Sequence, residues 1–279
     1  MEINSLKLVY FSATGTTKKI VQEIGRGIGY DVSEVVDITK PGARKQRLQT
    51  SENELLIIGV PVYEGRVQDN ALNWLQTIEA HNTPTACIVV YGNRAYDDAL
   101  IQLKNILIKR KCVPIACAAF VAQHSFSSHK TPIAHGRPDA DDLNQVKLFG
   151  ENIRKKMFAI ESISSLADVD VPGDAALQTK LHMGDVVAKG PRSLYERRCF
   201  FLIDVAETCT QCGICADVCP VGAIDPENSA TVDQDKCIQC CACIKYCPEQ
   251  VRTKTFSKLG KWASQELSKL PKMEPELFL

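Results

Sequence analysis

One short stretch near the end of the chain limits what it can fold into. Cys209-x2-Cys212-x2-Cys215-x3-Cys219-Pro220 recurs as Cys237-x2-Cys240-x2-Cys243-x3-Cys247-Pro248, with identical spacing in both copies. Residues 199–250 hold too few large apolar side chains for a self-sufficient core, so an inorganic centre has to supply stability that burial cannot. Two x2 intervals let three thiolates on one tight turn reach adjacent irons of a cube, and the fourth Cys of such a run ligates the other cube. Applied here, one [4Fe-4S] cluster takes Cys209, Cys212, Cys215 and Cys247, and the second takes Cys219, Cys237, Cys240 and Cys243. Four-cysteine zinc sites also use CxxC pairs, but they need neither a third Cys at x2 nor a following Pro. Cys241, an extra thiol inside the second copy, reads as a bystander. Cys87, Cys112, Cys117 and Cys199 stand at no ligand spacing and read as buried thiols.

At 279 residues the chain has room for about two domains. With 33 Lys+Arg against 33 Asp+Glu there is no global field to draw in nucleic acid. The balance is local, since eight acidic residues stand against Lys236 and Lys245 in 199–250, an acidic module. The longest apolar run, Cys112 to Ala122, contains a Pro and falls short of the ~20 residues a spanning helix needs, so no stable membrane insertion is expected. Met1 to Ser5 shows no basic region ahead of an apolar one, so no secretory signal is read. A cytoplasmic address is the expectation, and a disulfide framework is disfavoured because the cytosol keeps thiols reduced.

Residues 1–158 alternate short β-branched runs with helical patterns, the sign of a parallel sheet wrapped by helices. Strands are expected at Leu6–Phe11, Val32–Ile38, Leu55–Val60, Ala86–Tyr91 and Val113–Val121, most of them apolar throughout. Helices are expected at Thr16–Ile28, Asp69–Ala80, Tyr96–Lys109 and Asp142–Phe158, from apolar residues three or four apart. Residues 159–198 read as a linker. In 251–279, Phe256, Leu259, Ala263, Leu267 and Leu270 share one face of a docking helix, followed by a tail.

The first strand runs into Ser12-Ala13-Thr14-Gly15-Thr16-Thr17 and a helix follows at once. Hydroxyls at Ser12, Thr14, Thr16 and Thr17, N–H groups freed by Gly15 and the positive end of the helix together make an anion cradle. Neither GxGxxG nor GxxxxGK[ST] is present, which disfavours a dinucleotide fold or an NTPase. The third strand ends in Pro61-Val62-Tyr63-Glu64-Gly65-Arg66 and the fourth in Tyr91-Gly92-Asn93-Arg94-Ala95-Tyr96. Both loops bring aromatics and glycine to the strand carboxyl edge, where ligands of open α/β sheets bind. A flat heterocycle fits between Tyr63 and Tyr96.

This set resembles the flavodoxins over residues 6–158. The resemblance implies a doubly wound α/β sheet in the order 2-1-3-4-5 and FMN, with the phosphate on Ser12 to Thr17 and the ring between the 61–66 and 92–97 loops. Gly65 is the candidate for a peptide flip beside the flavin, because glycine turns over at little cost. Residues 209–248 resemble the bacterial two-cluster ferredoxins, including Val221-Gly222-Ala223-Ile224 after the first Pro. The order of modules is similar to flavodoxin and ferredoxin fusion proteins of anaerobes, which carry stretches like Tyr91 to Arg94, His124 to Ser127 and Gly136 to Asp139.

The loop holding the latter two stretches is expected to cover the flavin. His124 is a candidate proton donor there, with an ordinary pKa near ~6.5. His124, His129 and His135 fit no familiar metal-ligand spacing. Two functions follow. The first is an electron carrier between an external redox partner protein, the two clusters and FMN, its acidic face steering a basic partner. The second is a flavin-dependent reductase of a quinone or nitro compound, fed by its own clusters, with residues 123–139 as a substrate lid. A homodimer with exchanged domains is compatible with either.

Overall fold

The computed structural model describes residues 3–160, 162, 166–174 and 200–279. Five strands form the parallel part of the main sheet: β1 Ser5–Tyr10, β2 Val32–Asp37, β3 Glu54–Tyr63, β4 Thr83–Tyr91 and β5 Cys112–Val121. Pairing runs β2-β1-β3-β4-β5, the expected 2-1-3-4-5 order. Helices α1 Thr16–Ile28 and α4 Ala140–Ala159 cover one face, and α2 Asp69–Leu75 and α3 Ala99–Lys109 contribute to the other. Because both faces are covered, alternate residues of one strand enter different cores. Leu56 and Ile58 join Phe11, Trp74 and Leu103, whereas Leu55 and Ile57 join Ile20, Ile24 and Phe149.

Helices α1 and α4 meet closely at two glycines. A Cβ on Gly27 would stand 2.1 Å from the Lys147 carbonyl oxygen, and one on Gly150 would stand 2.3 Å from that of Ile24. Asp139 caps α4 through a reciprocal pair with Asp142, whose carboxylate also receives the buried Arg137 guanidinium.

After residue 200 come β6 Phe201–Val205, α5 Ile214–Asp217, α6 Ala242–Lys245, β7 Arg252–Phe256, α7 Lys258–Ser268 and β8 Glu276–Phe278. β6 and β7 pair antiparallel, so the sheet of the cysteine module reaches past residue 250, where the module was expected to end. Phe256 accordingly lies in a strand; Leu259, Ala263 and Leu267 are the buried face of α7, while Leu270 is exposed. β8 adds antiparallel to the β5 edge, pairing Glu276 with Ala119 and Phe278 with Cys117.

Two expected helices are shorter. Past Leu75 the chain leaves the helix and Glu79–Ala80 pairs with Gln49–Thr50. Ahead of Ala99, Asn93 and Asp97 take left-handed backbone angles (φ 68° and 45°), which a right-handed helix cannot accommodate. Cys87, Cys112 and Cys117 are buried, as expected, while Cys199 and residues 175–198 of the expected linker lie outside the described residues.

Residues 123–139 do not form a free lid. Phe126 and Ile133 are buried in the core of the cysteine module, with the Phe126 ring 5.0 Å from Phe200 and 5.7 Å from Phe201. The loop is bound to that module again through Thr131 Oγ1 and Ser264 Oγ, 2.8 Å apart.

Candidate cofactor sites at the domain junction

A cavity of about 830 Å³ opens at the carboxyl edge of the sheet. Its walls come from the β1–α1 loop, the β3 and β4 ends, the 123–139 loop and the second cysteine motif. In the first of these, Gly15 (φ 84°) is the N-cap of α1 and offers backbone without a side chain. First-turn N–H groups of a helix have no intrahelical acceptor; here the Lys18 N–H goes to Ser12, which leaves those of Thr16 and Thr17 for an anion. Thr14, Gly15, Thr16 and Thr17 line the cavity. Ser12 does not. Its hydroxyl accepts from the Lys18 N–H at 3.0 Å, closing the loop from behind.

Two groups missed in the sequence reach this cradle from the cysteine module. Lys245 Nζ donates to the Thr14 carbonyl at 2.7 Å, and the Tyr246 hydroxyl would stand 3.1 Å from a Cβ on Gly15. Lys19 also lines the cavity and donates to the Pro138 carbonyl. Burial and neighbouring Lys19 lower the Lys245 pKa, a shift that a bound phosphate would reverse.

At the end of β3, Tyr63 pairs with Arg66 across a two-residue turn in which Glu64 and Gly65 both have positive φ (50° and 76°). That is a type I′ hairpin, whose second position suits glycine. A Cβ on Gly65 would stand 2.4 Å from Asp97 Oδ2, so the turn is also packed against the neighbouring loop. Pro61, Tyr63 and Gly65 all line the cavity. Burial, followed by the thiols of Cys240, Cys241 and Cys237, pushes the Tyr63 hydroxyl pKa well above its ordinary value.

The β4 end divides. Tyr91 and Gly92 line the cavity, and a Cβ on Gly92 would meet His124 Cδ2 at 2.2 Å, so the imidazole rests directly on the glycine. Asn93 and Tyr96 do not line it, which corrects the expected Tyr63–Tyr96 slot. Asn93 Nδ2 donates to Pro271 O and its Oδ1 accepts from Met273 N, while the Tyr96 hydroxyl donates to Glu276 Oε2 at 2.7 Å. Both side chains are turned away by the C-terminal segment, whose edge strand was not legible in the sequence.

His124 lines the cavity, but as a neutral group. Burial, then Lys254 and Arg94, lower its pKa to about 4. Its Nδ1 accepts from the Phe126 N–H at 2.9 Å, which puts the remaining proton on Nε2. His124 is therefore a hydrogen-bond donor at neutral pH rather than the acid first expected. His129 and His135 are exposed, their rings 5.5 Å apart.

The cysteine repeat is also a repeat of backbone shape. Gln211 and Gln239 have φ 55° and 57°, and Gly213 and Cys241 have φ 78° and 62°. These left-handed residues precede α5 and α6, one pair in each copy. A second, smaller space is lined by five thiols, Cys219, Cys237, Cys240, Cys241 and Cys243, four of which are the crossed set expected for one cube. Small Ala242 is fully buried beside it.

Residues 201–256 match the family described as 4Fe-4S dicluster domain, and residues 7–110 match the flavodoxin domain family. The chain joins a flavodoxin domain to a 4Fe-4S dicluster domain. The uncharacterized ferredoxin-like protein YdhY of Escherichia coli (strain K12) is 45% identical over 53 residues, covering 17% of this chain and 26% of its own length. The probable iron-sulfur subunit of the Frd operon of Proteus vulgaris is 49% identical over 51 residues, covering 17% and 32%. The chain thus spans only about a quarter to a third of these curated relatives. A solved flavodoxin from the domain Archaea aligns at 18% identity with a TM-score of 0.40, over 55% of this chain and 99% of that one.

The two domains imply FMN and two [4Fe-4S] clusters, and the residues present fit both. The flavodoxin cradle has a helix N-terminus, hydroxyls and two lysines, which suits a phosphate dianion. The ferredoxin module supplies eight motif thiols, and among its described residues Arg252 is the buried charge that can offset them as thiolates. No helix among the described residues is long and apolar enough to cross a membrane. The chain belongs to redox and electron-transfer chemistry.

Proposed function

We propose that this chain is an electron carrier, passing electrons between an external low-potential partner protein, its two clusters and FMN. The observation that supports it is the shared cavity: the flavodoxin loops and the second cysteine motif face the same space. FMN, when bound, accepts electrons singly or in pairs, whereas each cluster moves one. Thr14 to Thr17 would hold its phosphate with Lys245 and Lys19. Pro61, Tyr63, Gly65, Tyr91 and Gly92 would border the ring, and neutral His124 would offer Nε2–H to a ring acceptor. The crossed cysteine sets hold the clusters, and the acidic ferredoxin face steers a basic partner in the cytoplasm.

The reductase reading requires a lid that moves. Residues 123–139 are held by Phe126 and Ile133 in a core and by Lys254, whose ammonium donates to the Ser125 and Ser127 carbonyls. That favours a closed conduit over a substrate gate.

Anaerobic purification tests the reading. About eight irons, matching acid-labile sulfide and one FMN per chain are expected. Zinc in place of iron, or clusters without flavin, would overturn it. Reduction by a basic partner protein should slow as ionic strength rises, and a rate indifferent to salt would remove the steering element.

A further inference from the structure

The two cysteine motifs are identical in spacing, yet they face different surroundings. The second motif lines the large cavity at Gln239 to Cys241 and again at Ile244 to Tyr246, whereas no residue of the first motif does. Position for position the contrast is sharpest at the second left-handed residue of each copy. A Cβ on Gly213 would meet nothing within 4 Å. Its counterpart Cys241 donates from Sγ to the Ser125 carbonyl at 3.4 Å, inside the junction. A non-glycine residue at positive φ is costly, and such strain gathers at functional sites.

Part of the first motif is open, although Cys215 is buried. Cys212 is exposed, Ile214 is 41% exposed, and Asp217 shares an exposed ion pair with Lys40. That motif touches the flavodoxin domain through Lys40 and through Arg44, which donates to the Pro220 carbonyl. Neither residue lines the cavity.

We propose that the clusters are ordered. The one held by Cys219, Cys237, Cys240 and Cys243 is the inner cluster and exchanges electrons with the flavin site. The one held by Cys209, Cys212, Cys215 and Cys247 is the outer cluster and is the port for the partner. The assignment rests on the electron-carrier reading. In the reducing direction, a one-electron donor protein of low potential is oxidised at the outer cluster and the electron moves to the inner one. Two such electrons, with two protons from water, complete reduction of the flavin. Electrons leave by the reverse order.

Cys241 supplies a reporter in the unaltered chain. Alkylation by iodoacetamide, read by peptide mass under anaerobic conditions, should be at least tenfold slower at Cys241 with FMN bound than after FMN is released. A second measurement names the cluster. Reduced chain is examined by electron paramagnetic resonance with FMN bound and released, in Cys240→Ser and in Cys212→Ser. The cluster signal that changes on FMN release should be the one altered by Cys240→Ser and left intact by Cys212→Ser. Equal labelling of Cys241 in both states, or a flavin-sensitive signal that follows Cys212→Ser, would overturn the order while leaving the carrier reading in place. A chain that binds no FMN would overturn both.

Discussion

The flavodoxin domain fills both faces of its sheet with whole apolar strands, Leu55 to Ile58 being entirely buried. The cysteine module has a much thinner core, in which Phe201, Ile203 and Ile224 stand beside Cys215, Cys219 and Cys243. It also uses two residues of its neighbour, Phe126 and Ile133. The first domain is held largely by burial, whereas the second has a thin core and a borrowed wall, and the clusters its family implies would supply the rest. A module of the second kind keeps its shape only while cofactor and neighbour are both in place.

The largest expected effect separates the two directly. Removing iron with a chelator under reducing conditions should unfold the cysteine module completely and leave the flavodoxin domain folded. Each half carries one tryptophan, Trp74 against the flavodoxin core and Trp262 in α7. In a Trp74→Phe chain the Trp262 emission should shift to the red on iron loss. In a Trp262→Phe chain the Trp74 emission should stay where it was. Coincident loss of both would show that the domains share one cooperative unit.

Phe126→Ala tests the borrowed wall. Truncating a buried Phe costs about 3 to 5 kcal/mol, and here the cost should fall on the module that does not contain the residue. Iron should be released to a chelator at least tenfold faster, while the Trp74 transition in urea moves little. A change confined to the Trp74 transition would place Phe126 in the wrong core.

This contrast also explains what was legible in the sequence. Strands β1, β3, β4 and β5 announce themselves because a strand covered on both faces is apolar at almost every position. The cysteine spacing is equally plain, since a cube tolerates little variation in the chain that wraps it. What could not be read is what joins the halves. Lys245 and Tyr246 look like ordinary surface residues until the fold brings them to Thr14 and Gly15. β8 is three residues long, too short for any alternation to show. Asn93 and Tyr96 read as ring contacts because their loop is at the sheet's carboxyl edge, and only the tail's hydrogen bonds reveal that they face elsewhere. The close approach of Gly27 and Gly150 is likewise invisible to a helical pattern that counts apolar residues.

The tail contact yields a smaller effect that links both halves. Tyr96→Phe removes one hydrogen bond to the Glu276 carboxylate. A bond to a charged group contributes about 1.5 to 3 kcal/mol. The substitution should lower stability to urea by an amount in that range and loosen β8, seen as faster amide exchange at Leu277 and Phe278. FMN affinity should fall less than tenfold, because Tyr96 lies outside the cavity. A hundredfold loss would mean that Tyr96 bears on the ring after all.

The last effect concerns His124, where the two domains meet in one side chain. Lys254 comes from the ferredoxin module and Arg94 from the flavodoxin domain, and both add to burial in lowering the His124 pKa to about 4. In the unfolded chain the imidazole titrates near ~6.5. Between these values the unfolded state binds more protons than the folded one, so the His124 contribution is whole above about pH 6.5 and is lost as pH falls toward 4. The slope is about 1.4 kcal/mol per pH unit at most. Protonation would also remove Nδ1 as the acceptor for the N–H of Phe126, the residue on which the borrowed wall depends. His124→Asn keeps an acceptor without a titrating ring, so urea midpoints of that variant should be flat from about pH 6.5 to 5 where the parent declines. An unchanged slope would assign the titration to another group and leave His124 no part in how acid parts the two domains.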